Sequence, residues 1–320
     1  MTKLRTLPRA SVSCLALAIS ASAAMADPAT YAGPQDALDA FVTALDTHDV
    51  EALLTVFGPE ARDLLTTGNP VEDAENRAVL QIMYAEGYRF QPEDDDSVTL
   101  LLGADAWPFP VPLVKQDGSW HFDVVAGRDE ITDRDIGLNE LDVIDLLTAY
   151  VDVQANYRLS DHNGDGVLEF ASTILSTEPG TRDGLFWAVP DSPVGAQLAR
   201  ASFDGYSDGS ADYEPEPLMG YYFRVLHGQG DLAPGGALDY IINGHQLAGH
   251  AILAVPADYD ATGVHTFMVA ENGIILQADL GEDTLTVARD ITLYNPDDAW
   301  TPVDVMTLGE TETLGQALGQ

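Results

Sequence analysis

The chain contains one cysteine, Cys14, and two lysines, Lys3 and Lys115, among 320 residues. A single cysteine cannot close an intramolecular disulfide, so the fold has to rest on core burial, with bound ions as the available staple. Basic residues are scarce overall: 14 Lys plus Arg stand against 52 Asp plus Glu, a formal net charge of −38. An excess of acid this large repels phosphate backbones and anionic headgroups, which excludes nucleic acid as a partner and disfavours adhesion to an anionic surface. Long apolar runs are missing too. No stretch approaches the roughly 20 residues that a spanning helix needs, so no membrane span is expected. Gly228-x-Gly230 and Gly235-Gly236 have no strand-to-helix setting that would cradle phosphate.

What is present is an ordinary globular content, with 46% hydrophobic residues spread evenly, too apolar for a solvated acidic tail. Lys3, Arg5 and Arg9 precede a short apolar run beginning at Cys14, and Ala24-Met25-Ala26 supplies a small-x-small cleavage pattern. Residues 1–26 therefore read as a signal peptide cleaved near Ala26, and the protein is expected in the periplasm or outside the cell. Ser11-Val12-Ser13 is a poor lipobox, which argues against acylation at Cys14. Cleavage removes three bases, no acids and the only cysteine, leaving 52 acids against 11 bases, a net charge of −41 over 294 residues. Such a surface suits a Gram-negative bacterium in salty water, where screening weakens self-repulsion.

Periodicity places helices first. Pro34 with Asp36 and Asp39 opens one whose apolar face is Leu38, Phe41, Val42 and Leu45; a second carries Leu53, Leu54 and Phe57 up to Gly58-Pro59. A third, about Glu72 to Tyr84, presents Val79, Leu80 and Met83. The period then changes to short strands at Tyr88 to Phe90, Ser97 to Leu102, Val111 to Val114 and Ser119 to Val124. Asp117-Gly118 marks a hairpin between the last two. Pro108, Pro110 and Pro112 cannot all donate to a ladder, so that region is expected at an edge or interrupted.

A second unit is expected from Gly137, with Asn139 and Asp142 opening a helix striped by Val143, Leu146, Leu147, Tyr150, Val153 and Tyr157. Strand candidates follow at Gly220 to Leu226, Asp239 to Asn243, His250 to Val255, His265 to Val269 and Gly273 to Ala278, separated by Gly, Pro, Asn and Asp turns. The expected architecture is α+β: two domains, 27–136 and 137–305, each of helices on a curved antiparallel sheet, with a polar tail at 306–320.

The most specific chemical pattern is Asp161-x-Asn163-x-Asp165-Gly166-Val167-x-Glu169. An EF-hand loop takes calcium oxygens from positions one, three, five, seven through its carbonyl, nine and twelve, with glycine at six for the turn. Asp161, Asn163, Asp165, Val167 and Glu169 fill the first five of these, while position twelve is Ser172 rather than glutamate. Calcium as a structural ion is the functional expectation; an Asp/Asn/Gly turn satisfied by its own side chains is the bland one. His245, His250 and His265 sit on neighbouring strand candidates, but five-residue spacing puts two of them on opposite faces, which favours surface or pocket-lining roles over a metal cluster. The four tryptophans, Trp107, Trp120, Trp187 and Trp300, read as core and corner residues before they read as a ligand groove.

Several ordered phrases carry a resemblance: Trp107 to Val114 with its alternating prolines, Gly137-Leu138-Asn139-Glu140-Leu141, Asp161 to Phe170, Arg182 to Trp187, Gly220-Tyr221-Tyr222-Phe223-Arg224, and Asp290 to Trp300. Together they resemble the bacterial exported family catalogued as domain of unknown function 2950, over about Tyr31 to Pro302. The first half is similar to nuclear transport factor 2-like, or cystatin-like, domains. The second is similar to the globular part of type II secretion pseudopilins, whose closing phrase Thr262 to Ile274 matches. A prepilin cleavage site with a hydrophobic spine is missing, so pilus assembly is not implied. The resemblance implies architecture and export, and no activity.

Two classes of function follow. The preferred one is a non-catalytic binding or assembly module of the cell envelope, with an envelope protein or a small ligand as partner. The alternative is an enzyme using a pocket of the first domain, where His121 and Asp123 are the available acid–base groups. Export makes one direct expectation: the intact mass of the protein recovered from its native compartment should correspond to residues 27–320. A mass retaining residues 1–26 would overturn it.

Overall fold

A computed structural model describes residues 28–178, 180–203 and 215–303. The proposed signal peptide and polar tail lie outside the described residues. The chain divides after Gly127 into two compact units, whose folds are α+β as the periodicity implies.

The first unit opens with α1 (Pro34–Asp46), α2 (Val50–Phe57), a 3-10 turn at Pro59–Ala61, α3 (Arg62–Leu65) and α4 (Pro70–Glu86). Asp49 and Asn69 cap α2 and α4 by accepting from Glu51 N and Val71 N. Strands β1 (Tyr88–Pro92), β2 (Ser97–Leu102), β3 (Trp107–Pro108), β4 (Leu113–Gln116) and β5 (Ser119–Phe122) make an antiparallel sheet of order β1-β2-β4-β5, with β3 on β2. The hairpin turn falls at Asp117-Gly118, both at positive φ, with Gln116 opposite Ser119. Pro110 and Pro112 fall in the gap between β3 and β4, where no ladder donor is required.

Between helices and sheet the core is a set of phenylalanines. Phe41, Phe57, Phe109 and Phe122 lie 4.5 to 6.3 Å apart in tilted and edge-on pairs, and Leu38, Leu53, Leu100 and Leu113 close around them. On α4 the expected face is only partly used: Leu80 and Met83 pack on this core, whereas Val79 and Ile82 face solvent.

The largest departure from the periodicity concerns the next helix, α5, which runs unbroken from Val124 to Tyr157, 34 residues, instead of opening near Asn139. The expected boundary at 136 therefore falls inside it. Asp123 starts α5 by accepting from the N–H groups of Val125 and Ala126. The polar stretch before Asn139 stays helical with an i,i+4 pair, Arg134 to Glu130 at 2.8 Å, and contains no proline to stop it. Gly127 is tolerated there because a Cβ would meet Val111 at 2.7 Å.

The second unit continues with β6 (Thr173–Leu175), β7 (Gly184–Phe186), α6 (Ala196–Arg200), β8 (Tyr221–Leu226), β9 (Gly228–Gln229), β10 (Leu238–Asp239), β11 (Ile241–Ile242), β12 (His245–Gln246), β13 (Ala251–Pro256), β14 (His265–Ala270), β15 (Leu276–Asp279), α7 (Thr284–Asp290) and β16 (Thr301–Pro302). Its main sheet is antiparallel with order β16-β15-β14-β13-β8; β6 and β7 form a small parallel pair. On one face the α5 stripe Val143, Ile144, Leu147 and Tyr150 meets Tyr221, Phe223, Ile252, Ala254, Phe267 and Val269. On the other, Leu253, Val255 and Met268 meet Ala288 of α7 and Tyr294. Burial on both faces explains why β13 is an uninterrupted apolar run instead of alternating.

Phe122 is fully buried at the centre of the phenylalanine set. Phe122→Ala should lower stability by about 3–5 kcal/mol through cavity formation, read from the shift in chemical denaturation. A change below about 1 kcal/mol would show that this core does not hold the first unit.

Candidate metal centre

The Asp161–Glu169 segment follows directly on α5 and is shaped by its own side chains. Asp161 accepts from Gly164 N at 2.7 Å through Oδ1 and from Gly166 N at 2.9 Å through Oδ2. Asn163 Oδ1 accepts from Asp165 N, and Asp165 Oδ1 from Val167 N. Gly164 and Gly166 both take positive φ, which lets the chain curl around the Asp161 carboxylate. The N–H of Gly166, above all, holds the Asp161 carboxyl below the usual aspartate value. No exit helix follows the loop; the chain passes instead into β6, so the EF-hand comparison is limited to the loop.

The far side of the loop is met by a hairpin that lies 76 residues further along the chain. Asn243 and Gly244, at φ 54 and 88, turn β11 into β12 with Ile242 opposite His245. The hairpin docks on the loop exit through Phe170 N donating to Gln246 O, and Gln246 N donating to Glu169 Oε2. This brings His245 Nδ1 to 3.2 Å from Glu169 Oε2 and 3.5 Å from Asp165 Oδ2. Asp165, Glu169 and His245 thus present ligand atoms within 4.8 Å of one another. Asn163 Nδ2 donates to Glu169 Oε1 at 2.9 Å and orients that carboxylate. Beneath the loop, His162 stacks on Tyr157 at 4.3 Å between rings and meets the Tyr157 carbonyl through Nε2. Burial, then the charges of Glu169, Asp183 and Asp165, push the Tyr157 phenol upward.

Of the five residues expected to bind an ion, the structure gathers Asp165 and Glu169 at one point. Asp161 and Asn163 direct their oxygens to backbone N–H groups, and Val167 contributes its own N–H to Asp165. His245, His250 and His265, read from their spacing as surface or pocket-lining residues and not as a shared cluster, are dispersed in the structure. His265 Nδ1 faces the Glu140 carboxylate at 3.1 Å, which also accepts from the N–H groups of Val264 and His265. His250 is buried between Tyr150 and Phe170. A usable signal for His245 was the Asn-Gly turn two residues before it, but nothing in the spacing named the Asp161–Glu169 loop as its neighbour.

Residues 28–303 match the family described as protein of unknown function (DUF2950). The chain belongs to this family. No curated protein and no solved structure matches the chain. The family's span thus covers both compact units, including the loop and the hairpin that meets it. Among the described residues, no helix is long and apolar enough to cross a membrane.

Burial, with a smaller contribution from Arg158, pushes the His250 imidazole down to about 4, below the ordinary value of about 6.5. The unfolded chain therefore binds a proton that the folded chain refuses. Stability from this residue is full above pH 6.5 and is lost as pH falls toward 4, on the order of 3 kcal/mol. His250→Phe should flatten the difference between pH 7 and pH 4.5 in denaturation experiments. An unchanged pH slope would show that His250 protonates in place.

Proposed function

We propose that this protein is a non-catalytic binding or assembly module of the cell envelope, exported by its N-terminal segment, with the Asp161–Glu169 loop taking calcium as a structural ion. The observation that carries the non-catalytic reading is the interior of the first unit. Phe41, Phe57, Phe109 and Phe122 pack against one another between the helices and the sheet, which leaves that interior to core and not to a polar pocket, and the candidate base Asp123 spends its carboxylate on the N–H groups at the start of α5. The second unit supports a surface role in the manner of pseudopilins, because one long helix packs along one antiparallel sheet.

The loop reading is supported by its spacing and by the way it ties the end of α5 to the β11–β12 hairpin. An ion there would neutralise clustered carboxylates that hydrogen bonds alone leave charged. Isothermal titration of the full chain with calcium should give heats in the weak, extracellular range of about 10⁻⁴–10⁻³ M, and Asp165→Ala should abolish them. Identical heats in both proteins would remove calcium from the proposal. Affinity capture from the native compartment, with and without calcium, tests the module reading. Capture of nothing, alongside a metabolite screen that finds a turned-over ligand, would replace it with an enzyme.

A further inference from the structure

The ligand set that converges in space differs from the one that the loop spacing names. Calcium is a hard ion that collects six to eight oxygens at 2.3–2.6 Å; an imidazole nitrogen suits zinc, copper or nickel. Two atoms bonded at roughly 2.0–2.1 Å to one tetrahedral ion lie about 3.3 Å apart. His245 Nδ1 stands 3.2 Å from Glu169 Oε2 and 3.5 Å from Asp165 Oδ2, close to the edges of a tetrahedral ion, and the third edge, between the two carboxylates, is within 4.8 Å. We propose that Asp165, Glu169 and His245 form a site for a nitrogen-accepting divalent metal of the zinc class, which competes with calcium for the two shared carboxylates.

Three features hold the donors in place. The β11–β12 turn and the Phe170–Gln246 backbone bond fix the strand that carries His245. Asn163 Nδ2 steers the second oxygen of Glu169, the outer-shell orientation that metal-binding carboxylates use. The side chains are 29%, 34% and 16% exposed for His245, Asp165 and Glu169, shielded enough to strengthen the ion's attraction yet open to its entry. On binding, the metal takes the Nδ1 lone pair: a doubly protonated ring releases its Nδ1 proton to solvent, and a neutral ring protonated at Nδ1 releases that proton and takes one up from solvent at Nε2, so in either case Nε2 carries the ring's single proton. A tetrahedral ion has a fourth position, which water or a loop oxygen fills.

The proposal rests on the reading of the Asp161–Glu169 segment as a cation loop, and the test separates the two. The full chain, stripped with chelator, is titrated separately with zinc chloride and calcium chloride, as wild type and as His245→Gln. Zinc should bind the wild type, and His245→Gln should weaken zinc by at least about tenfold while leaving the calcium heats unchanged. Absence of zinc binding to the wild type, or equal zinc affinity in both proteins, overturns the site. Calcium binding without zinc leaves the cation loop and removes this inference; zinc binding without calcium does the reverse for calcium. Melting curves without metal should coincide for wild type and variant. Should His245→Gln fail to fold, His245→Asn carries the same zinc and calcium comparison.

Discussion

The second unit depends on burying the stripe Val143, Ile144, Leu147 and Tyr150 of α5 against β8, β13 and β14. With no disulfide available, apolar burial has to supply most of the stability, at about 25 cal/mol per Å² removed from water. This contact also places the polar groups along the helix. Asn139 and Glu140 reach the β13–β14 connection, where Asn139 Nδ2 donates to Thr262 O and Glu140 accepts from the N–H groups of 264 and 265. Tyr221 crosses the same corner, and its hydroxyl donates to His265 O. It passes so close to Gly263 that a Cβ there would meet the phenol oxygen at 2.1 Å. Further along, Gln154 clasps both backbone groups of Ala171, just past the loop. One packed stripe thus sets both the β13–β14 connection and the carboxylate loop.

The acidity acquires a structural meaning beside its effect on solubility. Asp123, Glu140, Asp161 and Asp165 act as acceptors for backbone N–H groups at helix starts and tight turns. Charge-assisted bonds of this kind are stronger than neutral ones. The pairs Arg62–Glu51 and Arg200–Glu216 are, by contrast, more than half exposed, and such pairs contribute little. Where a base has a larger role it is directed at backbone: Arg224 Nη1 donates to the carbonyls of Ala288 and Arg289 at the end of α7, while its guanidinium lies over Phe203. Three of the phrases that carry the family resemblance, at 137–141, 161–170 and 220–224, thus each hold a polar side chain that pins a distant segment.

Much of the local structure was readable because it is local. Turns at Asp117-Gly118 and Asn243-Gly244, the caps of the early helices, and the strand runs from Tyr88 to Phe122 each follow from a few adjacent residues. The start of α5 was misplaced because Asn139 and Asp142 imitate a helix opening. In fact Asn139 and Glu140 are interior residues whose side chains serve a loop more than 120 residues away, and Asp123 supplies the cap. Val79 was assigned to a buried face since periodicity defines a stripe but not how far a neighbouring sheet reaches along it.

By itself the sequence determined the α+β class, most of the helices and strands of the first unit, the lack of a second cysteine for an intramolecular disulfide and the curled Asp161–Glu169 loop, since all of these depend on composition or on residues within one turn. Only the tertiary structure decided that the loop meets His245, that His250 and His265 go elsewhere, and that the first unit's interior is filled by phenylalanine. Those outcomes depend on how the β11–β12 hairpin docks and how helices fill the space over a sheet. A one-dimensional pattern states which side of an element is apolar; which distant element covers it is settled by packing.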